Sequence, residues 1–184
     1  MHPRMQQLLE LIDEHYRALR ATADAVPEEL RERQPADGCW SVAQVIDHVA
    51  KVETAVSLRI ANTLAEARER GLGEETETAP LDASEFFQAV ADRTNKRVSP
   101  ERAHPAPDAR YADAWAALEA AHAKAVATFE SGQGLALAEV KMPHPVLGEL
   151  SIYQWAVALA GHEARHAVQI RETAEQLGAT AAAA

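Results

Sequence analysis

Apolar residues recur every three or four positions in four long segments of the chain, which is the spacing of one face of an α-helix. Glycines and prolines stand near the ends of these segments, where they stop helices. The pattern predicts four long helices over residues 3–26, 41–70, 110–130 and 151–178, and a shorter helix over residues 84–98. It indicates an all-α fold, a four-helix bundle, and several long connectors favour crossover connections over a plain up-and-down order.

Two of the predicted helices begin with the same four-residue pattern. Ser41 is followed three residues later by Gln44, and Ser151 is followed in the same way by Gln154. In such a capping box, each side chain satisfies a backbone amide of the other residue. Trp40 lies just before the first cap, in the position of a hydrophobic staple. The pattern therefore predicts both helix starts closely.

The length of the chain predicts one domain over residues 1–184, because a chain of this length usually forms one domain. Residues 74–80 are acidic and without periodicity, which predicts an exposed loop. Residues 135–150 combine alternating apolar positions with a turn, which predicts either a small hairpin or an irregular crossover. The alanine-rich tail, residues 179–184, is expected to be disordered.

Three histidines interrupt the predicted inward faces of two helices. His162 and His166 are four residues apart, so they lie on one face of the last helix. His48 interrupts a stripe of valines on the second helix. Such histidines either share one metal ion or are separate core residues, each hydrogen-bonded to a backbone group or a carboxylate. The spacing leaves both interpretations open.

The last helix also contains HEARH at residues 162–166, which fits the H-E-x-x-H pattern of zinc proteases. The pattern makes Glu163 a candidate catalytic base, the alternative being a solvated carboxylate or one that supports a ligand. A protease is disfavoured, because Gln169 and Glu172 occupy the positions where the extended motif has a glycine and a third histidine.

The chain carries a formal net charge of −10. An acidic surface repels phosphate, so we expect neither a nucleic acid nor a membrane as partner. No apolar run approaches the length of a membrane span, and the N-terminus does not resemble a signal peptide, so a cytoplasmic location is expected. The single cysteine, Cys39, excludes an internal disulfide and is expected to be a half-buried small residue.

Three stretches of the sequence resemble motifs of the DinB-like, or YfiT-like, superfamily. Residues 39–48, CWSVAQVIDH, are similar to the pattern that begins its second helix. Residues 144–151, HPVLGELS, are similar to the run before its last helix, and residues 162–170, HEARHAVQI, to its closing motif. The three matches occur in the family's order, and the resemblance extends over nearly the whole chain.

The resemblance implies a four-helix bundle, often a homodimer, in which His48, His162 and His166 bind one divalent transition metal ion, zinc or nickel. It further implies a metal-dependent transferase or hydrolase acting on a small molecule, with a low-molecular-weight thiol as a candidate partner. The alternative is a non-catalytic metal-binding or stress-associated protein with a structural or vestigial site. Residues 71–98 depart from the family pattern and are expected to reshape the mouth of the pocket.

Overall fold

The computed structural model describes residues 1–94 and 99–179. These residues form five α-helices: α1 (Pro3–Asp24), α2 (Val42–Glu69), α3 (Ser84–Ala91), α4 (Tyr111–Ser131) and α5 (Ile152–Gln176). An antiparallel hairpin of β1 (Lys141–His144) and β2 (Gly148–Ser151) precedes α5, and short 3-10 helices cover Glu28–Leu30 and Glu101–Ala103. The predicted all-α four-helix bundle is confirmed, with every end of the four long helices within about two residues of its predicted place.

The four long helices close into a ring in which sequence neighbours are not always neighbours in space. α1 packs against α5 and α4, and α2 packs against the same two helices. α1 and α2, which follow each other in the chain, therefore lie diagonally opposite, as do α4 and α5. The connections between them cross the bundle, which confirms the predicted crossovers. Aliphatic side chains fill the interior, among them Leu8, Ile12, Ile46, Ile60, Leu118 and Ile170.

Both predicted capping boxes are present and hold the starts of α2 and α5. The amide of Gln44 donates to the Ser41 hydroxyl at 3.2 Å, and the Ser41 amide donates to the Gln44 side chain at 3.0 Å. Ser151 and Gln154 make the same pair of bonds, at 3.2 and 2.9 Å. Each cap contributes about 1 kcal/mol to helix stability. The two helices that carry the three candidate histidines thus begin at defined residues.

The predicted hairpin forms, and the short helix is smaller than predicted. Strand β1 pairs with β2 from Lys141 opposite Ser151 to His144 opposite Gly148. Helix α3 ends at Ala91, because the next residue, Asp92, has an extended backbone and accepts a bond from the Thr94 amide at 2.8 Å. The prediction of a helix to residue 98 is therefore wrong at its end. Residues 95–98 and 180–184 lie outside the described part of the chain.

Helix α3 packs on the outer side of α5 through a close approach at Gly161. A Cβ atom at Gly161 would lie 2.9 Å from the Cβ and Cγ1 atoms of Val90. Glycine allows this approach because it has no side chain to displace Val90. The region that departs from the family pattern is thereby held directly beside His162. No helix within the described ranges is long and apolar enough to cross a membrane.

Candidate metal centre

Three imidazole nitrogens converge between the neighbouring helices α2 and α5. The Nε2 atom of His162 lies 3.3 Å from Nε2 of His48 and 3.0 Å from Nε2 of His166. Each of the three residues offers a ligand atom within 4.8 Å of the other two. The structure thus brings together all three histidines that the sequence identified as candidate ligands.

Contacts at the far side of two rings show which nitrogens face the centre as acceptors. Nδ1 of His48 lies 2.7 Å from the carbonyl oxygen of Ala103, which can only accept. Nδ1 of His166 lies 2.9 Å from Oε1 of Gln169, and that oxygen also accepts from Arg93 at 3.0 Å. Both Nδ1 atoms therefore carry the hydrogen, an assignment inferred from the partners, and both Nε2 atoms present lone pairs.

This arrangement suits a metal ion better than a set of hydrogen bonds. His162 has at most one hydrogen on Nε2, so it can donate to His48 or to His166 but not to both. Zn–N bonds of about 2.0–2.1 Å in a tetrahedral site place ligand nitrogens about 3.3–3.4 Å apart. The observed separations of 3.3 and 3.0 Å are close to that value. The donor set fits zinc, nickel or another divalent ion that favours imidazole.

Burial keeps the imidazoles of His48 and His166 in the neutral form that binds metal. Burial lowers the pKa of His166 well below its usual value, and the neighbouring His162 and His48 lower it further. Burial also lowers the pKa of His48, although its bond to Ala103 opposes the shift. A neutral imidazole needs no deprotonation before it binds a cation. The site is therefore ready for a metal at neutral pH.

The three histidines line an open cavity of about 700 Å³. Trp40 lies against His48 with the ring centres 4.9 Å apart, and Trp155 lies equally close to His144. Both tryptophans line the cavity. Trp40, which the sequence indicates as a hydrophobic staple at the start of α2, is therefore also part of the cavity wall. Cys39 lines it as well and is exposed, so the prediction of a half-buried residue is wrong. The chain turns just before α2, which leaves that thiol at the surface.

The cavity wall is positively charged although the protein is acidic. One acidic residue, Glu172, is found among its described lining residues, and it pairs with Arg93 at 2.8 Å. Arg165 is buried and donates to the carbonyl of Asp92, which ties α5 to the end of α3. Residues 71–98 thus contribute Val90 and Arg93 to the wall. The cationic lining residues are Lys51, Arg59, Arg93, Arg102 and Arg165.

Glu163 does not lie on the cavity side of α5. It is 2% exposed, and its carboxylate faces Glu53 and His122, with ligand atoms of all three within 4.8 Å of one another. Its predicted role as a base stays a prediction. Sequence reasoning did not identify Glu53 as a functional candidate. Glu53 lies on the inward face of α2, one turn after Val49, and a charged residue at an inward position could have been identified from the sequence.

The sequence model of the DinB superfamily matches residues 11–170. The uncharacterized protein YuaE of Bacillus subtilis (strain 168) is 27% identical over 151 residues, which cover 82% of this chain and 86% of YuaE. TT2238, a four-helix bundle protein of known structure, aligns over 91% of this chain and 98% of its own with a TM-score of 0.54 and 19% identity. YfiT from Bacillus subtilis, described as a probable metal-dependent hydrolase with an unusual four-helix bundle topology, aligns over 96% of this chain and 89% of its own, with a TM-score of 0.61 and 15% identity. The two structures share the fold, and the match over residues 11–170 shows that this chain belongs to the DinB superfamily.

Proposed function

We propose that the protein is a metal-dependent transferase or hydrolase that acts on a small molecule, with zinc or nickel bound by His48, His162 and His166. The observation that carries the proposal is the convergence of three Nε2 atoms on the wall of an open cavity. A metal on three protein ligands keeps a position open, where it lowers the pKa of a bound water or thiol. The printed description of YfiT agrees with this class of activity.

The residues of the cavity suggest the charge and size of the substrate. A volume of about 700 Å³ suits a small organic molecule. Arg59 donates to the Pro143 carbonyl at 3.0 Å and lies over the Trp155 ring, so its guanidinium is held at the rim. Arg102 adds a second positive charge to the lining. These groups favour an anionic substrate, and a low-molecular-weight thiol that carries carboxylates is a suitable partner.

The chain's own residues orient two of the three ligands. The carbonyl of Ala103 accepts from the Nδ1–H group of His48. The side chain of Gln169 accepts from the Nδ1–H group of His166, so both rings are held in place. Arg93 fixes Gln169 in turn. The homodimer and the cytoplasmic location expected from the sequence stay predictions.

The proposal is tested with metal-free protein that is then given one equivalent of zinc or nickel. Hydrolysis of small anionic esters and amides is measured, as is transfer of several small thiols to an organic electrophile. We expect turnover that chelation abolishes, that added metal restores, and that His162→Ala removes. His15→Ala, a change in a histidine that stacks on Phe87 outside the site, serves as the matched control.

Two results would contradict the proposal in different ways. Wild-type protein that takes up less than about a tenth of an equivalent of either metal would show that the histidines are core residues, since a three-imidazole site binds these ions tightly. Full metal uptake without turnover of any substrate or thiol would favour the non-catalytic alternative.

A further inference from the structure

A second group of ligand-type side chains lies inside the bundle, away from the cavity. Glu53 on α2 and Glu163 on α5 are each 2% exposed, and His122 on α4 completes the group. Within the described part of the chain, none of the four carboxylate oxygens has a hydrogen-bond partner. Nδ1 of His122 is 3.7 Å from Oε1 of Glu53, which is too long for a hydrogen bond.

Two carboxylates in this position need a compensating positive charge or a proton. Burial raises the pKa of Glu53, against the opposing influence of His122. Ionised carboxylates without partners are costly in an apolar interior, and two of them also repel each other. A divalent cation shared by both would remove both costs.

We propose that Glu53, His122 and Glu163 form a second metal site, separate from the three-histidine centre. Their ligand atoms lie within 4.8 Å of one another, the same criterion that the three histidines meet. A donor set of two carboxylates and one imidazole suits Mn²⁺ or Fe²⁺. The hydroxyl of Ser57, fully buried and without a partner among the described residues, lies one turn after Glu53 on the same face of α2.

The surroundings of His122 support its role as a ligand. Its ring stacks on Tyr16 with the centres 3.9 Å apart and the planes 14° from parallel. Its Nε2 atom lies 3.9 Å from a carboxylate oxygen of Asp13, which is too long for a hydrogen bond but places a negative charge near the ring. The His122 side chain is 12% exposed and that of Asp13 is 38% exposed, so this edge of the cluster lies nearer to solvent than the two glutamates.

The test measures binding of Mn²⁺ by the full-length, metal-stripped protein, through elemental analysis and the electron paramagnetic resonance signal of the ion. We expect one equivalent in the wild type and in His48→Ala, and a loss of at least tenfold in affinity in Glu53→Gln. Glu66→Gln is the matched control, because it makes the same change at an exposed position of the same helix. Circular dichroism verifies that each variant is folded.

Each alternative result overturns the second site. Unchanged Mn²⁺ binding in Glu53→Gln would place the ion elsewhere, and loss of all Mn²⁺ in His48→Ala would assign it to the histidine centre. The wild type could also bind no Mn²⁺, no Fe²⁺ and no second equivalent of Zn²⁺, while metal-free Glu53→Gln melts at a higher temperature than the wild type. That pair of results would show that the carboxyl groups are protonated and bind no ion. None of these results depends on catalysis. The second metal site can therefore be contradicted while the proposed function stands, and the proposed function can be contradicted while the second site stands.

Discussion

The bond between His166 and Gln169 allows the orientation of a metal ligand to be tested by one side chain. Gln169→Leu removes the oxygen that accepts from Nδ1 of His166 at 2.9 Å. It also removes the oxygen to which Arg93 donates at 3.0 Å. The equivalent bond of His48 goes to the backbone of Ala103 and cannot be deleted in this way.

The expected effect is on metal affinity rather than on the fold. His166 is 6% exposed, so without Gln169 its Nδ1–H group loses its acceptor in a buried position. Loss of such an outer partner weakens metal binding by about 10- to 100-fold. That corresponds to about 1.4–2.7 kcal/mol of binding free energy. The imidazole itself is untouched, so the stoichiometry should stay at one ion at this centre.

The assay is competition for Zn²⁺ with a chromophoric chelator at neutral pH. Gln176→Leu is the matched control, because it makes the same change on α5 and also lines the cavity. Gln169→Glu keeps an acceptor for both donors and should retain affinity close to that of the wild type. If folded Gln169→Leu bound Zn²⁺ within twofold of the wild type, the inferred orientation of the His166 ring would be refuted.

Three further predictions concern stability. Gly161→Ala brings a Cβ to 2.9 Å from Val90 and should cost about 1–3 kcal/mol in a urea titration, whereas Gly73→Ala, with nothing within 4 Å, should be near neutral. Ser151→Ala removes the cap of α5 and should lower the free energy of unfolding by about 0.5–2 kcal/mol in the same titration, and no change would mean the cap is redundant. The pKa of His166 is lower in the folded protein than its usual 6.5, so the unfolded chain gains a proton first as the pH falls. The contribution of neutral His166 to the free energy of unfolding is therefore complete above pH 6.5 and is lost as the pH falls below that value. In thermal melts below pH 6.5, the metal-free wild type should lose stability more steeply than His166→Ala.

The elements that depend on local interactions could be predicted from the sequence. The helices follow from apolar spacing, and the starts of α2 and α5 follow from capping boxes whose partners are three residues apart. The relation of His162 to His166 is equally local, since four residues span one turn. The hairpin was one of two predicted alternatives, and the end of α3 was misplaced because Asp92 leaves the helix to cap the following turn.

Contacts between helices could not be predicted in the same way. Glu53, His122 and Glu163 come from three helices, and nothing in their spacing indicates that they meet. The Ala103 carbonyl lies 55 positions from His48 in the sequence, yet it determines which nitrogen of that ring faces the centre. The positive cavity wall is also a tertiary property, because the chain as a whole carries a net charge of −10.

The sequence by itself determined the four long helices, the starts of α2 and α5, and the shared helix face of His162 and His166, because each depends on neighbours within one or two turns. The family resemblance added His48 to this pair. Only the tertiary structure decided that α2 lies beside α5 and that Nε2 of His162 lies 3.3 and 3.0 Å from Nε2 of the other two histidines. It also decided that Glu163 faces Glu53 instead of the cavity. The physical reason is that helix order around the bundle is chosen by the packing of whole apolar faces, and the orientation of each buried polar group then follows from the partners that this packing brings near.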